Sequence, residues 1–259
     1  MMELELDRLA IVTRYELLKH FRRKRFYAVF AIVIAIELLI LVIPKVLGEG
    51  YPDNVMTMAA MLSIGPSFAV IASIFFIGDA IAGEFEGKTG YILFSNPIKR
   101  TTVVAGKYLA CFAATALILL ALYGVTTASL LGIYHQVPLE VWESFAYCLL
   151  YVGGVLAMAL FFSSILRGSM GAALSTFFLM FMIFPILQGV LMTTGHEPWF
   201  ILTYAGGIVS GVYRAPAGMG PGQEALMRPE IGQSLVVMVI YLVAFLFLSA
   251  VITRRREMI

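Results

Sequence analysis

The sequence predicts an all-α integral membrane protein with six transmembrane helices. Of the 259 residues, 61% are hydrophobic and 13% are charged, and the mean hydropathy is +0.92. Soluble domains are about 45 to 50% apolar and about 25% charged, so a chain of this length cannot hide so much apolar surface from water. Apolar stretches of about 20 residues, the length that crosses a bilayer, recur along the chain. They lie near residues 26–46, 58–81, 102–134, 141–166, 171–192 and 232–253.

The arm that precedes the first span, residues 1–25, is predicted to be an amphipathic helix in the membrane interface. Ile11, Tyr15 and Leu18 recur at helical spacing, with basic residues such as Arg14 and Lys19 around them. Two roles stay open. The basic residues can orient the chain and attract anionic lipid, at about 1 kcal/mol each near the surface, or the helix can also dock against a cytoplasmic partner. A polar arm followed by such a long apolar run is not the pattern of a cleavable signal peptide.

Basic residues are distributed unevenly between the two sides of the predicted spans. Of the 18 Lys and Arg residues, only Lys45, Arg214 and Arg228 fall on one side. The others share the opposite side, and they are Arg8, Arg14, Lys19, Arg22, Arg23, Lys24, Arg25, Lys88, Lys99, Arg100, Lys107, Arg167, Arg254, Arg255 and Arg256. Because basic residues favour the cytoplasmic side, we expect a multi-pass plasma-membrane protein with both termini in the cytoplasm. Two cytoplasmic termini require an even number of spans.

The segment between the fifth and sixth spans, residues 193–231, is neither a free polar loop nor another span. Trp199 and Phe200 begin an amphipathic stretch suited to the membrane interface, and glycines and prolines interrupt the chain after it. The sequence predicts short external helices or a re-entrant element here.

The polar segment between the second and third spans, residues 79–101, contains a partial phosphate-loop pattern. Residues 82–89 read AGEFEGKT, with Ala in place of the first Gly of G-x-x-x-x-G-K-[ST]. Membrane spans flank this segment instead of the strand and helix of a nucleotide-binding domain, and Glu84 and Glu86 would repel phosphate. We therefore expect no nucleotide site, no catalytic residues and no metal site in this chain, whose three histidines are scattered.

The same segment predicts a short helix that stops and restarts. Pro97 disfavours helix at Asn96, and Thr101 or Thr102 can cap the helix that becomes the third span. Apolar residues at 91–94, YILF, would be exposed on this short helix, so either the chain itself or a partner must cover them.

In this pattern the chain resembles the permease subunits of type 2 ABC transporters. The similarity lies in acidic residues followed by Gly and Thr, in Leu93, in Pro97-Ile98 followed by Arg100, and in Lys107, all directly after the second span. The cytoplasmic termini, the basic first helix and the segment before the last span agree with that family. Lys88 departs from it, because a small residue is common there.

The resemblance implies a coupling helix from about Gly83 to Ser95 that rests in a groove on a separate ATPase subunit. Two copies of the chain would pair around a central pathway, two ATPases would bind below, and ATP and Mg would be bound only by those ATPases. Glu84 and Glu86 are then either ion-pair partners of the ATPase or solvated charges. The residues that the resemblance assigns to coupling are Gly83, Glu84, Phe85, Glu86, Gly87, Thr89, Tyr91, Ile92, Leu93, Phe94, Pro97 and Arg100.

Glu37 is the acidic residue that lies well inside a predicted span. It follows Phe26 by 11 residues, which is about 16 Å along a helix, and a central acid costs about 2.5 to 3.5 kcal/mol on insertion scales. It must therefore face protein, water or a partner group. A role in substrate handling or gating and a structural hydrogen bond to another span, with Glu37 protonated or not, both stay open.

These observations predict the permease subunit of an ATP-driven exporter, with an ATPase, a second copy of the chain and membrane lipid as partners and no nucleic acid. A non-transporting subunit that transmits mechanical work to an external partner is the alternative, although the external segments are short. A membrane-embedded enzyme is disfavoured, because the sequence has no cluster of His, Asp, Glu or Cys at catalytic spacing. No residue identifies the substrate.

Overall fold

The computed structural model describes residues 2–48, 50–63, 65–78, 80–87, 99–166, 168–213 and 229–255, and within these ranges the chain is helical, without strands. A π-helical turn, Leu179–Ile183, separates the eighth and ninth α-helices. The helices are α1 (Met2–Arg22), α2 (Lys24–Val46), α3 (Val55–Leu62), α4 (Gly65–Gly78), α5 (Ala82–Glu86), α6 (Arg100–Tyr134), α7 (Glu140–Ile165), α8 (Ser169–Phe178), α9 (Phe184–Thr193), α10 (Leu202–Ala205), α11 (Ile208–Gly211) and α12 (Ile231–Arg255).

Five of the predicted spans correspond to helices long and apolar enough to cross a membrane. They are α2, α6, α7, the continuous Ser169–Thr193 helix and α12. Their observed ends lie within a few residues of the predicted ones. The all-helical class and five spanning helices are therefore confirmed.

The second predicted span is not one helix, so the prediction of a single helix over 58–81 is corrected. The chain forms α3, ends it with Ser63 as the cap, and begins α4 at Gly65. Pro66 explains the break, because it has no backbone N–H to donate to the carbonyl of Leu62, and its ring would clash with that carbonyl. A proline in the first turn of α4 costs no hydrogen bond.

The Ser169–Thr193 helix, which corresponds to the fifth predicted span, contains the π-helical turn shortly before Pro185. Pro185 likewise has no N–H for the carbonyl four residues earlier, and a local π register is one of the ways in which a helix accommodates such a residue. The helix therefore continues to Thr193 instead of breaking.

Two ends of the helix bundle are defined by contacts of α6. At the end that we call the basic end, Arg100 donates to the carbonyls of Thr253 and Arg254, both at 3.4 Å, which brings the start of α6 to the end of α12. At the opposite end, the Tyr134 hydroxyl donates to the Pro52 carbonyl, which brings the end of α6 to the start of α3.

The central helix of the bundle is α7. Every residue from 152 to 160 is buried, and the helix packs against α4, α6, α8 and α12. By contrast, few apolar side chains of α2 and α12 are buried, as expected for helices that face lipid. The short helices α10 and α11 pack inward near the opposite end, with Leu202, Ala205 and Ile208 buried.

Candidate functional site

The described part of the predicted coupling segment lies at the basic end. Gly83, Glu84, Phe85 and Glu86 are in α5, Gly87 follows it, and Arg100 begins α6. The predicted coupling residues Thr89, Tyr91, Ile92, Leu93, Phe94 and Pro97 lie outside the described residues.

A buried serine of the central helix holds the turn that leads into α5. The Ser163 hydroxyl donates to the Gly78 carbonyl at 2.9 Å, and its oxygen accepts from the backbone N–H groups of Ile81 at 3.1 Å and Ala82 at 3.0 Å. Buried backbone groups need such partners, because leaving one without a hydrogen bond costs about 1 to 3 kcal/mol. The entrance to α5 is thus fixed to α7.

Four charged side chains from three helices meet beside α5, and we call them the Lys107 cluster: Glu16 and Lys19 of α1, Glu84 of α5 and Lys107 of α6. The Lys107 ammonium contacts Glu16 Oε1 at 2.5 Å and Glu84 Oε1 at 2.8 Å. Lys19 contacts Glu84 Oε1 at 3.3 Å and Glu16 Oε2 at 3.5 Å. Two lysines face two glutamates, so the cluster is balanced in charge.

Burial within the cluster increases toward Lys107. The Lys107 side chain is 2% exposed, and those of Glu84 and Glu16 are 12% and 17% exposed, whereas Lys19 is 41% exposed. A buried charge is tolerated only when it is paired, and removing one partner of a buried pair costs about 3 to 5 kcal/mol. Lys107 therefore fixes the relative positions of α1, α5 and α6.

The residue before Lys107 allows α1 to approach α6 closely enough for this contact. A Cβ added at Gly106 would lie 2.6 Å from Val12 Cγ1, far inside contact distance. The small residue thus admits the buried Val12 side chain against the backbone of α6. The opposite face of α1 carries the predicted stripe of Ile11, Tyr15 and Leu18, and all three are exposed.

Glu86 connects the end of α5 to the start of α8. Its carboxylate accepts from the Ser169 backbone N–H at 3.0 Å and from the Ser169 hydroxyl at 2.7 Å. The hydroxyl hydrogen bond, followed by the backbone one, lowers the pKa of Glu86 below its usual value. An acid at a helix N-terminus also compensates the positive end of the helix dipole.

The N-terminal part of α1 is attached to the beginning of α6. The Thr102 hydroxyl donates to Glu5 Oε2 at 3.0 Å, and the Lys99 ammonium lies 3.3 Å from Glu5 Oε1. The Thr102 hydrogen bond is the largest influence on the pKa of Glu5, which is lowered. Together with the contacts of Arg100 to α12, these bonds bring three helices, α1, α6 and α12, to the end of the coupling segment.

The two acids of α5 thus have partners within the chain. Sequence reasoning offered ion pairs with an ATPase or solvated charge for Glu84 and Glu86, and it included neither Lys107 nor Ser169 as a partner. A signal for Lys107 was available, because a lysine inside a predicted span requires an acid nearby. The partners themselves lie 23 and 91 residues away in sequence, at Glu84 and Glu16.

Glu37, the predicted intramembrane acid, lies in α2 at 0% exposure. The Thr126 hydroxyl of α6 donates to Glu37 Oε1, whereas Glu37 Oε2 is buried and has no hydrogen-bond partner among the described residues. The predicted structural hydrogen bond to another span is thus present. Across the described residues, no group of three or more His, Cys, Asp or Glu is placed to hold a metal ion.

Five long apolar helices define a multi-pass α-helical membrane protein, and ionisable side chains are buried between its helices at two sites. The chain belongs to the family described as "Protein of unknown function (DUF2705)", whose model matches residues 46–259. A search of curated proteins gives no match. The matched range contains Glu84, Lys107 and Ser163, whereas Glu16, Lys19 and Glu37 precede it.

Proposed function

We propose that this chain is the transmembrane permease subunit of an ATP-driven ABC exporter. It works as a homodimer and receives movement from two separate ATPase subunits through the segment 79–101. The observation that carries the proposal is the Lys107 cluster. A segment that receives force must be attached rigidly to the helices that it moves, and Glu84 is attached to α1 and α6 through a lysine that is 2% exposed.

The arrangement of charge supports a cytoplasmic position for this segment. The basic end contains the end of α1, the start of α6 and the end of α12, where Arg22, Lys99 and Arg254 lie. Basic residues favour the cytoplasmic side, so both termini and α5 face the compartment that contains ATP. Six passes through the membrane, the second made by α3 and α4 together, agree with this orientation.

The contacts suggest how movement spreads from α5. Ser163 and Ser169 connect α5 to α7 and α8, and the Lys107 cluster connects it to α1 and α6. Only Arg23 separates α1 from α2, so a displacement of α1 also moves α2. ATP-driven closure of the partner subunits then shifts α2 and α6 as a group, which is a rigid-body transition of packed helices.

Co-purification from the native host tests this function. The tagged chain is expected to retain a protein with the sequence motifs of an ABC ATPase, and a Leu93→Asp, Phe94→Asp variant is expected to lose it. Introducing two carboxylates removes the apolar surface that the ATPase would cover. Leu139→Asp is the matched control, because Leu139 is 70% exposed just before α7, at the opposite end of the bundle.

The two variants separate coupling from general damage to the protein. Retention of the ATPase by Leu139→Asp and its loss from the double variant support the proposal. Retention by both variants, or the absence of an ATPase from every preparation, contradicts it. Transport of a candidate substrate into inverted vesicles then distinguishes an exporter from a subunit that only transmits force.

A further inference from the structure

The Glu37 carboxylate lies in a cluster of hydroxyl groups between α2, α6 and α7. Tyr123 lies one turn before Thr126 on the same face of α6. The Tyr123 hydroxyl lies 2.8 Å from the Ser144 hydroxyl, which in turn donates to the Val209 carbonyl at 2.6 Å. Since Ser144 uses its own proton on Val209, Tyr123 is the donor to Ser144.

Nothing positively charged balances this acid among the described residues. From Val55 to Gly78, α3 and α4 contain no charged residue, and α6 contains none after Lys107. Along α6, Lys107 is about 28 Å from Thr126, the residue that donates to Glu37. The charged residues of α7, Glu140 and Glu143, are both acidic.

An ionised carboxylate with one neutral donor and no cation is strongly disfavoured in such a place, because buried charges require a partner. The bonding pattern fits the neutral acid instead. Thr126 donates to Oε1, as it would to a carbonyl oxygen, and the second oxygen, Oε2, accepts from nothing described. Oε2 is the atom that can carry a proton.

A cavity lies beside the cluster and can supply the water that accepts the proton. It has a volume of about 60 Å³ and polar walls formed by Ser63, Ser67, Tyr151 and Ser210. Cys148 and Val209 also line it, and Val209 is the residue whose carbonyl accepts from Ser144. A polar cavity of this size has room for more than one water molecule. The break between α3 and α4, at Ser63, forms part of its wall.

We propose that Glu37 is a proton-binding site that is loaded in this arrangement. Moving α2 away from α6 removes the Thr126 hydrogen bond and admits water, so the carboxylate ionises and the proton leaves. Helix movement and proton binding are therefore linked, and acid favours the closed α2–α6 contact. This site stands whether or not an ATPase drives the movement.

Infrared difference spectroscopy of the full chain in lipid nanodiscs tests the protonation state. At neutral pH, the wild type is expected to show a carbonyl band of a neutral carboxylic acid that Glu37→Gln lacks. The band should disappear as the pH is raised. Its absence from the wild type would overturn the proposal, because Glu37 would then be ionised and paired with a cation from outside the described residues.

A second measurement needs no variant and so does not depend on the folding of Glu37→Gln. Dicyclohexylcarbodiimide, an apolar reagent for neutral carboxylic acids, should label Glu37 at neutral pH and lose reactivity in alkali, as located by mass spectrometry. The exposed Glu143 serves as the internal comparison and should stay unlabelled. Equal labelling of both residues, or none of Glu37, contradicts a buried neutral acid.

Discussion

Two acids of this membrane protein, the largely buried Glu84 and the fully buried Glu37, are compensated in opposite ways. Glu84 shares the fully buried Lys107 with Glu16, and its cluster has as many lysines as glutamates. Glu37 has a single neutral donor, Thr126, and an oxygen without a hydrogen-bond partner among the described residues. Both acids connect neighbouring helices. The contact of Glu84 needs no bound proton, whereas the proposed contact of Glu37 depends on one.

The difference shows how charge can either fix or switch a contact between helices. A balanced ion cluster keeps its attraction over the whole range in which Lys and Glu are both charged, so it suits a rigid attachment. An unbalanced acid contributes to packing only while it is neutral. In this chain the rigid attachment lies at the basic end, next to the predicted coupling segment, and the proton-dependent contact lies deeper, between α2 and α6.

Removing Lys107 should give the largest effect. Lys107→Met is expected to lower the free energy of unfolding by about 3 kcal/mol or more, because it leaves two carboxylates without their buried cation. Unfolding in mixed detergent micelles measures the change. Lys19→Met is the matched control from the same cluster, and because the Lys19 side chain is 41% exposed, its loss should cost about 1 kcal/mol or less. Equal losses in both variants would show that burial does not distinguish the two lysines.

Ser163→Ala should have the next largest effect and lower the free energy of unfolding by about 2 kcal/mol, because it leaves the N–H groups of Ile81 and Ala82 without an acceptor. The same unfolding measurement applies. Thr176→Val removes an equally buried hydroxyl that bonds only within its own helix, so it should cost less than about 1 kcal/mol. If Ser163→Ala is no worse than Thr176→Val, α7 does not hold the entrance to α5.

The spans illustrate what composition and periodicity can predict. Apolar length located α2, α6, α7 and α12 to within a few residues, because an apolar helix is stable in lipid whatever its neighbours are. The break at Ser63 was not predicted, although Pro66 gave a signal for it. The span was predicted from the number of apolar residues alone, and that number takes no account of the N–H group that proline lacks. The predicted helix over the first 25 residues is present as α1, and its residues Ile11, Tyr15 and Leu18 are exposed.

The candidate sites were only partly predictable, because their partners come from distant parts of the chain. Glu37 stood out as an acid in an apolar run, but Thr126 is 89 residues away and has no distinctive sequence context. Ser163 lies 85 residues from Gly78 and resembled an ordinary packing residue. Only the fold brings such residues together.

The loss of stability in Thr126→Val distinguishes a neutral Glu37 from an ionised one. If Glu37 is neutral, losing one ordinary hydrogen bond should cost about 1 kcal/mol, whereas a bond to an ionised carboxylate is worth about 1.5 to 3 kcal/mol. We expect the smaller value, and we expect it to persist in a Glu37→Gln background. A cost that falls sharply in that background would mean that Glu37 is ionised.

Glu86→Gln should have the smallest effect on stability, and this effect should depend on pH. Its hydrogen bonds from Ser169 lower its pKa in the folded state, so its contribution is present above the unfolded pKa and is lost as the pH falls through the folded value. The difference in melting temperature between the wild type and Glu86→Gln should therefore shrink on acidification. Glu37 has the opposite dependence, since its neutral form favours folding. A difference that grows in acid would contradict the assignment for Glu86.

Site-specific photocross-linking tests most directly whether the segment 79–101 meets an ATPase. A photoreactive amino acid at position 93 is expected to cross-link the chain, in native membranes, to a protein with ABC ATPase motifs. The same group at position 139, at the opposite end of the bundle, should give no such product. Cross-links from position 93 to lipid or to this chain alone, or an ATPase product from position 139 only, would contradict coupling through this segment.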